Sequence, residues 1–268
     1  MESADHRPDV ALGQRLAERM MAGHGTADLH IFQGSRCHPL HSITHARSGR
    51  HLAMVSTAAD LPASMVIGAD DTTDIRIHLH RQADVPDARI ALADIHGAGQ
   101  ARVVTPDEAF AIAEHVGGIF ATTAMRPHHV VIDVLIDVAI LQGPLGTQCV
   151  NLTHEPSWTP PWTTLEAYDQ ALSLGEWYLG HLADAVIDET LPGFHQPVWV
   201  CSEHDHPLEG RIFPVDIDAW GALLLDLRND PPQNVYLPFG TPATTLEEVA
   251  DNLDEMFDQT QPVARWSR

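Results

Sequence analysis

Leu12, Leu16 and Met20 recur at four-residue spacing, which predicts an amphipathic helix over 8–22. After "GHGTA" the period changes to two. "DLHIFQG" reads as a strand, followed by "HPLHSITH" and "HLAMVST", with "ARSGR" between the last two as a hairpin loop. "LPASMVIGA" reads as a short helix or turn. In "DIRIHLH" the residues Ile75, Ile77 and Leu79 share one face of a strand and Arg76, His78 and His80 share the other. "ARIALADIHGAGQARVV" is a long strand or strand pair, with a bulge or bend expected at Gly97 and Gly99. Thr105-Pro106-Asp107-Glu108 supplies an N-cap, a proline at the first helical position and a glutamate three residues after the cap, so a helix starts there. "HHVVIDVLIDVAILQG" is a further strand. Many strands with few, short helices predict a small barrel for this part of the chain.

"EPSWTPPWTT" marks a domain boundary, and the pattern changes beyond it. Leu165, Tyr168, Leu172, Leu179, Leu182 and Val186 trace one face of a single helix of about 25 residues at 3.6 residues per turn. Strands are expected at "PVWVCSE", "RIFPVDIDAWGALLLDLR" and "NVYLPFG". A capped helix, "TTLEEVADNLDEMFDQ", closes the unit with Leu246, Val249, Leu253 and Met256 inward. The expected class is α+β, with domains over 1–155 and 163–262, the second a small α-β-β-β-α unit.

Composition narrows the function classes. The 268 residues carry 37 carboxylates against 15 basic residues, every one of them arginine, for a net charge of −22. Without lysine there is no Schiff-base lysine and no Walker-type phosphate lysine. The negative charge repels a nucleic-acid backbone and anionic membranes, so neither partner is expected. No apolar run is long enough for a membrane span, and the acidic beginning lacks the layout of a secretory signal. Three cysteines, Cys37, Cys149 and Cys201, form no CxxC pair, and no disulfide scaffold is expected. A cytoplasmic protein is the expectation.

Eighteen histidines are the conspicuous chemistry. "CHPLHSITHARSGRH" holds Cys37 and four of them, but an extended strand separates His41 from His45 by about 13 Å, too far to share a zinc ion. His45 and His51 flank the turn and are expected to meet as a cross-strand pair, with His78 or His80 as outside ligands for any metal. "CSEHDH" (Cys201 to His206) reads as a polar loop. His181 stands one helical turn from Trp177 and three residues from Tyr178, and an imidazole beside aromatic surface is suited to haem iron. No GxSxG, HExxH, GxxxxGK or complete GxGxxG occurs, and an interfacial histidine at the edge of the core remains the alternative for His181.

The order of elements and several motifs resemble a known family. The N-terminal two-thirds is similar to the FMN-binding split β-barrel superfamily, which includes pyridoxamine-phosphate oxidases and HugZ-type haem-utilisation proteins. "GEWYLGHLADAVIDETLP", "GRIFPVDIDAWGALLLDL" and "VYLPFGTPATTLEEVADNLDEMF" resemble the small domain of unknown function that ends HugZ-type and many actinobacterial members. The resemblance implies a split β-barrel followed by that domain, a homodimer, and haem held at His181 with Trp177 and Tyr178. His45 and His51 then lie in a hairpin near the usual cofactor cleft. It also raises FMN, but family members place Ser, Arg or Lys after the hairpin to hold the phosphate. Here "STAADLPASMVIGADD" follows, with no basic residue between Arg50 and Arg76. Haem handling, a cofactor-free dimeric binding module and an FMN-dependent oxidoreductase are the three readings left open.

Overall fold

The computed structural model describes residues 8–48, 50–67, 71–85, 89–153, 162–198 and 208–261. Its α+β architecture holds seven strands in an N-terminal sheet and four in a C-terminal one. The first helix, α1 (Pro8–Met21), buries Leu12, Leu16 and Met20 as their spacing required. Then come β1 (Thr26–Gln33), β2 (Arg36–Ser48), β3 (His51–Thr57), the short α2 (Ala63–Ile67), β4 (Thr73–Gln82) and β5 (Ala91–Val103). Helices α3 (Pro106–Val116) and α4 (Gly118–Ala124) precede β6 (His129–Gly143) and β7 (Gly146–Cys149). The Thr105 capping box forms as the residue types demanded, with the Glu108 carboxylate accepting from the Thr105 N–H.

The N-terminal sheet runs β3-β2-β1-β4-β5-β6-β7, and β3 also pairs with β6. One edge of β6 is therefore shared: His129 to Leu135 pair with β3, and Ile140 to Gly143 with β7. The pairings run in a circuit through six strands, with Leu29, Ile31, Met54, Ile77, Leu79, Ile95, Ile132 and Val134 buried. Alternation in β4 falls as expected, Ile75, Ile77 and Leu79 inward. The β5–β6 register shifts between Ala98 and Gly99. A side chain at Gly99 would collide with the Leu135 carbonyl oxygen and lie 2.9 Å from Ile136 Cα, so close backbone approach selects glycine there.

In the C-terminal part, α5 (Thr164–Ser173), α6 (Glu176–Ile187), β8 (Phe194–Pro197), β9 (Ile212–Asp218), β10 (Gly221–Asp226), β11 (Gln233–Pro238) and α7 (Leu246–Thr260) follow in order. The single long helix expected here is two. Gly175 sits between them at φ 95°, a positive value that a helix does not accommodate, so α5 ends before it and α6 starts after it. Leu165, assigned to the inward face, is 46% exposed, while Leu179, Leu182 and Val186 are buried. The element order is thus α-α-β-β-β-β-α, not α-β-β-β-α, with the sheet ordered β8-β11-β10-β9. The strand expected at "PVWVCSE" lies mostly outside the described residues, as does "CSEHDH". Leu179 and Leu182 of α6 pack with Ile217, Leu224, Val235 and Leu237 of the sheet and Val249 and Leu253 of α7.

Packing divides the chain into two units: Val10–Arg81 with Ala93–Ser157, and Met1–Asp9 with Gln82–Leu92 and Trp158–Arg268. The second unit is discontinuous, because the connection between β4 and β5 groups with the C-terminal elements. Among the described residues no helix is long and apolar enough to cross a membrane.

Candidate functional site

Helix α6 begins immediately after Gly175, which places Trp177 and His181 one turn apart on the same side. Their rings stack, centroids 5.9 Å apart and planes 13° from parallel. Phe257 of α7 closes the group, 5.2 Å from His181 and edge-on to Trp177 at 5.8 Å. Tyr178 stacks on Phe257 at 4.1 Å, and its hydroxyl donates to Asp254 Oδ1 at 2.5 Å. Partial burial, and then the neighbouring Asp254 charge, push the Tyr178 phenol well above its ordinary range. Tyr178 is consequently a structural tie between α6 and α7 and stays protonated.

The hydrogen bonds around His181 assign its tautomer. Thr260 Oγ1 lies 2.7 Å from the Phe257 carbonyl, to which only a hydroxyl proton can be given. The same Oγ1 lies 2.9 Å from His181 Nε2 and therefore accepts the Nε2–H. In the neutral ring this leaves the lone pair on Nδ1. Metal-ligating histidines are commonly held in this way, one nitrogen donating to an oxygen so that the other is presented as ligand. Beside the pair opens a cavity of about 300 Å³ lined by Trp177, His181, Glu176, Asp184, Ile212 and Arg228. Trp177 is 75% exposed, so its outer ring face is available.

The histidine-rich hairpin is organised differently. Register pairs His45 with Met54 and Ser48 with His51, so His45 and His51 are not cross-strand partners. His45 is only 5% exposed and donates Nε2–H to the Met20 carbonyl at 2.7 Å, in the last turn of α1. Burial pushes its pKa down, against the opposing backbone bonds to Met20 and Ile43. His51 Nδ1 donates to Asp133 Oδ1 at 2.7 Å. Arg102 lies 3.5 Å from the same carboxylate and grips Glu108 with both terminal nitrogens. Its guanidinium, then the Thr105 donors, hold the Glu108 carboxyl down at about 2. His41 goes to Asp28 at 3.3 Å, and Cys37 Sγ to His30 Nδ1 at 3.6 Å. His30 and His41 meet edge to face at 6.2 Å, so one stretch of sequence feeds three separate places.

His78 Nε2 and His80 Nδ1 both donate to Asp94 Oδ1, at 2.7 and 2.9 Å, and His96 stacks on His78 at 4.6 Å. Burial raises the Asp94 pKa, but the two imidazoles outweigh it and hold the carboxyl below its usual range. The alternation of β4 had put His78 and His80 on one face; their shared carboxylate comes from β5 and had no local signal. Among the described residues no group of three or more His, Cys, Asp or Glu is placed to hold a metal ion.

A flavin phosphate finds little to hold it after the hairpin. Thr57 Oγ1 is spent on Asp60 Oδ2 at 2.6 Å, Ser56 is buried, and Arg47 donates to the Leu152 carbonyl. The donor set does not fit a phosphate at Ser56 and Thr57. The C-terminal group fits a haem better: one imidazole with an oriented tautomer, an exposed indole beside it and an adjoining cavity.

No protein-family model and no curated protein matches the chain. Among solved structures, the haem-binding protein of Mycobacterium smegmatis is similar at TM-score 0.53 and 12% identity, over 91% of this chain and 96% of that one. General Stress Protein 26 of Bacillus anthracis covers 52% of this chain and 98% of its own, at 10% identity and TM-score 0.35. An FAD-binding protein of Mesorhizobium loti covers 46% and 88%, at 13% identity and TM-score 0.30. At those scores the last two carry no structural argument. The similarity to the mycobacterial protein is one of fold.

Proposed function

We propose that the protein is a haem-binding protein that holds its ligand on the C-terminal unit, at the surface formed by Trp177 and His181. The observation that carries this reading is the Phe257 carbonyl–Thr260–His181 relay, which presents the His181 Nδ1 lone pair beside an exposed indole. His181 would hold the iron through Nδ1, with Trp177 stacked against the imidazole and Tyr178 bracing the helix. Bound haem would bring a redox-active iron; the chain's own residues orient the imidazole and shield one side of it. Fold likeness alone does not transmit function, so the reading stands on these residues.

Haemin titrated into the purified protein is expected to give a Soret band that His181→Ala removes while His51→Ala leaves it intact. A Soret band unchanged in His181→Ala overturns the assignment. FMN titrated in parallel decides the flavin reading: tight binding with flavin bands in the visible would place this chain with the oxidoreductases. A cytoplasmic homodimer is part of the proposal, supported by Leu135, Val138 and Ile140, apolar residues exposed along β6. Light scattering is expected to give twice the chain mass, and Val138→Asp to halve it.

A further inference from the structure

Near the turn of the β1–β2 hairpin a thiol meets an imidazole. Register sets Phe32 opposite Cys37 and Pro39 opposite His30, so Cys37 and His30 are diagonal neighbours on one face of the sheet. The thiol is exposed, and its Sγ lies 3.6 Å from His30 Nδ1. That imidazole is braced in turn. His41 meets it with ring planes 88° apart, and His41 Nδ1 is 3.3 Å from the Asp28 carboxylate. Asp28 also accepts the Ser42 N–H at 2.9 Å, which secures the left-handed backbone of Ser42 (φ 52°) beside His41.

Charge on this face favours an anionic sulfur. Arg76 stands opposite His30 on β4 and lays its guanidinium 5.5 Å from the ring centroid of Phe32, the residue opposite Cys37. The acids of the face are Asp28, committed to His41 and Ser42, and Asp74, two residues from Arg76 on β4. A thiol in contact with a proton acceptor, with cations nearby, has the surroundings of a nucleophilic cysteine. Cys149 supplies the contrast. It is exposed too, opposite Ile140, but among the described residues no imidazole reaches its sulfur.

We propose that Cys37 is a peroxide-reactive thiol and that His30 is its proton acceptor. The thiol proton passes to His30 Nδ1 as the sulfur attacks one oxygen of hydrogen peroxide. The O–O bond breaks, and the departing hydroxide takes the proton back from His30 and leaves as water. Sulfur is oxidised by two electrons to sulfenic acid and the peroxide is reduced. The reagent is small enough to need no cavity, and the assignment is independent of the ligand site on the C-terminal unit.

The test exposes the full chain to hydrogen peroxide, traps sulfenic acid with dimedone, and reads the label at each cysteine by peptide mass spectrometry. Cys37 is expected to label at least about tenfold faster than Cys149, below the usual range of general-base assistance because the pair is open to solvent. His30→Phe is expected to bring Cys37 down to the rate of Cys149 while leaving Cys149 unchanged. His30→Gln, a smaller polar change, is expected to do the same and guards against a folding defect in the first variant. Equal rates at the two cysteines of the wild type overturn the proposal. So does a fast Cys37 that survives both His30 variants, since exposure alone would then explain it.

Discussion

His45 and His181 are each held through Nε2 by a single oxygen about 2.8 Å away, yet the two sites do opposite work. The partner of His45 is the backbone carbonyl of Met20, which cannot turn away, and the ring is enclosed by strand and helix. The partner of His181 is a side-chain hydroxyl near the end of α7, and the ring edges a cavity beside an exposed indole. A rigid acceptor in a sealed site makes a histidine a structural strut. A rotatable acceptor at an open one makes it a presented base. The difference shows that histidine density says little about ligand binding, whereas the identity of the second-nitrogen partner says a good deal.

The largest effect that separates the two sites is on stability. His45→Ala removes a buried ring and its bond to α1, and is expected to cost about 2–4 kcal/mol in urea denaturation. His181→Ala is expected to cost under about 1 kcal/mol. Similar losses in the two variants would erase the distinction. Next, Thr260→Val removes the acceptor that orients His181, and haemin affinity is expected to fall about tenfold with little change in stability. An unaltered affinity would show that the hydroxyl is incidental. The smallest effect is on pH dependence. His45 is neutral in the native state, with a pKa below that of the unfolded chain, so below about pH 6.5 the unfolded state binds the additional proton. Stability present above that pH is lost as pH falls, by at most about 1.4 kcal/mol per pH unit for this one group. His45→Phe is expected to flatten that part of the profile, and an unchanged slope would mean that other groups set it.

Local signals were legible wherever chemistry acts over one or two turns. The Thr105 capping box, the alternation of β4 and the bend at Gly99 all follow from neighbouring residue types. The break at Gly175 was not, because a glycine in a run of helix formers costs little in pattern terms and only its φ of 95° reveals the break. The expected meeting of His45 and His51 failed for the same class of reason. Hairpin register is not fixed by the residue types alone, and here it pairs Ser48 with His51 and His45 with Met54 instead. At the candidate site, Trp177 and His181 were visible as an i, i+4 pair. Thr260, Phe257 and Arg228 were not, since they arrive from elements 47 or more positions away and carry no motif.

The β4–β5 connection, whose residues Gln82–Leu92 pack with the C-terminal elements, has a consequence for how the chain matures. As the ribosome delivers the polypeptide, strands β1 to β7 are complete before the elements that will receive this segment exist. The segment must wait, tethered at both ends to finished structure, until Trp158–Arg268 has been synthesised. Severing the chain between Ser157 and Trp158 would accordingly leave the first fragment with its own unit whole and the second without the Gln82–Leu92 segment that belongs to it.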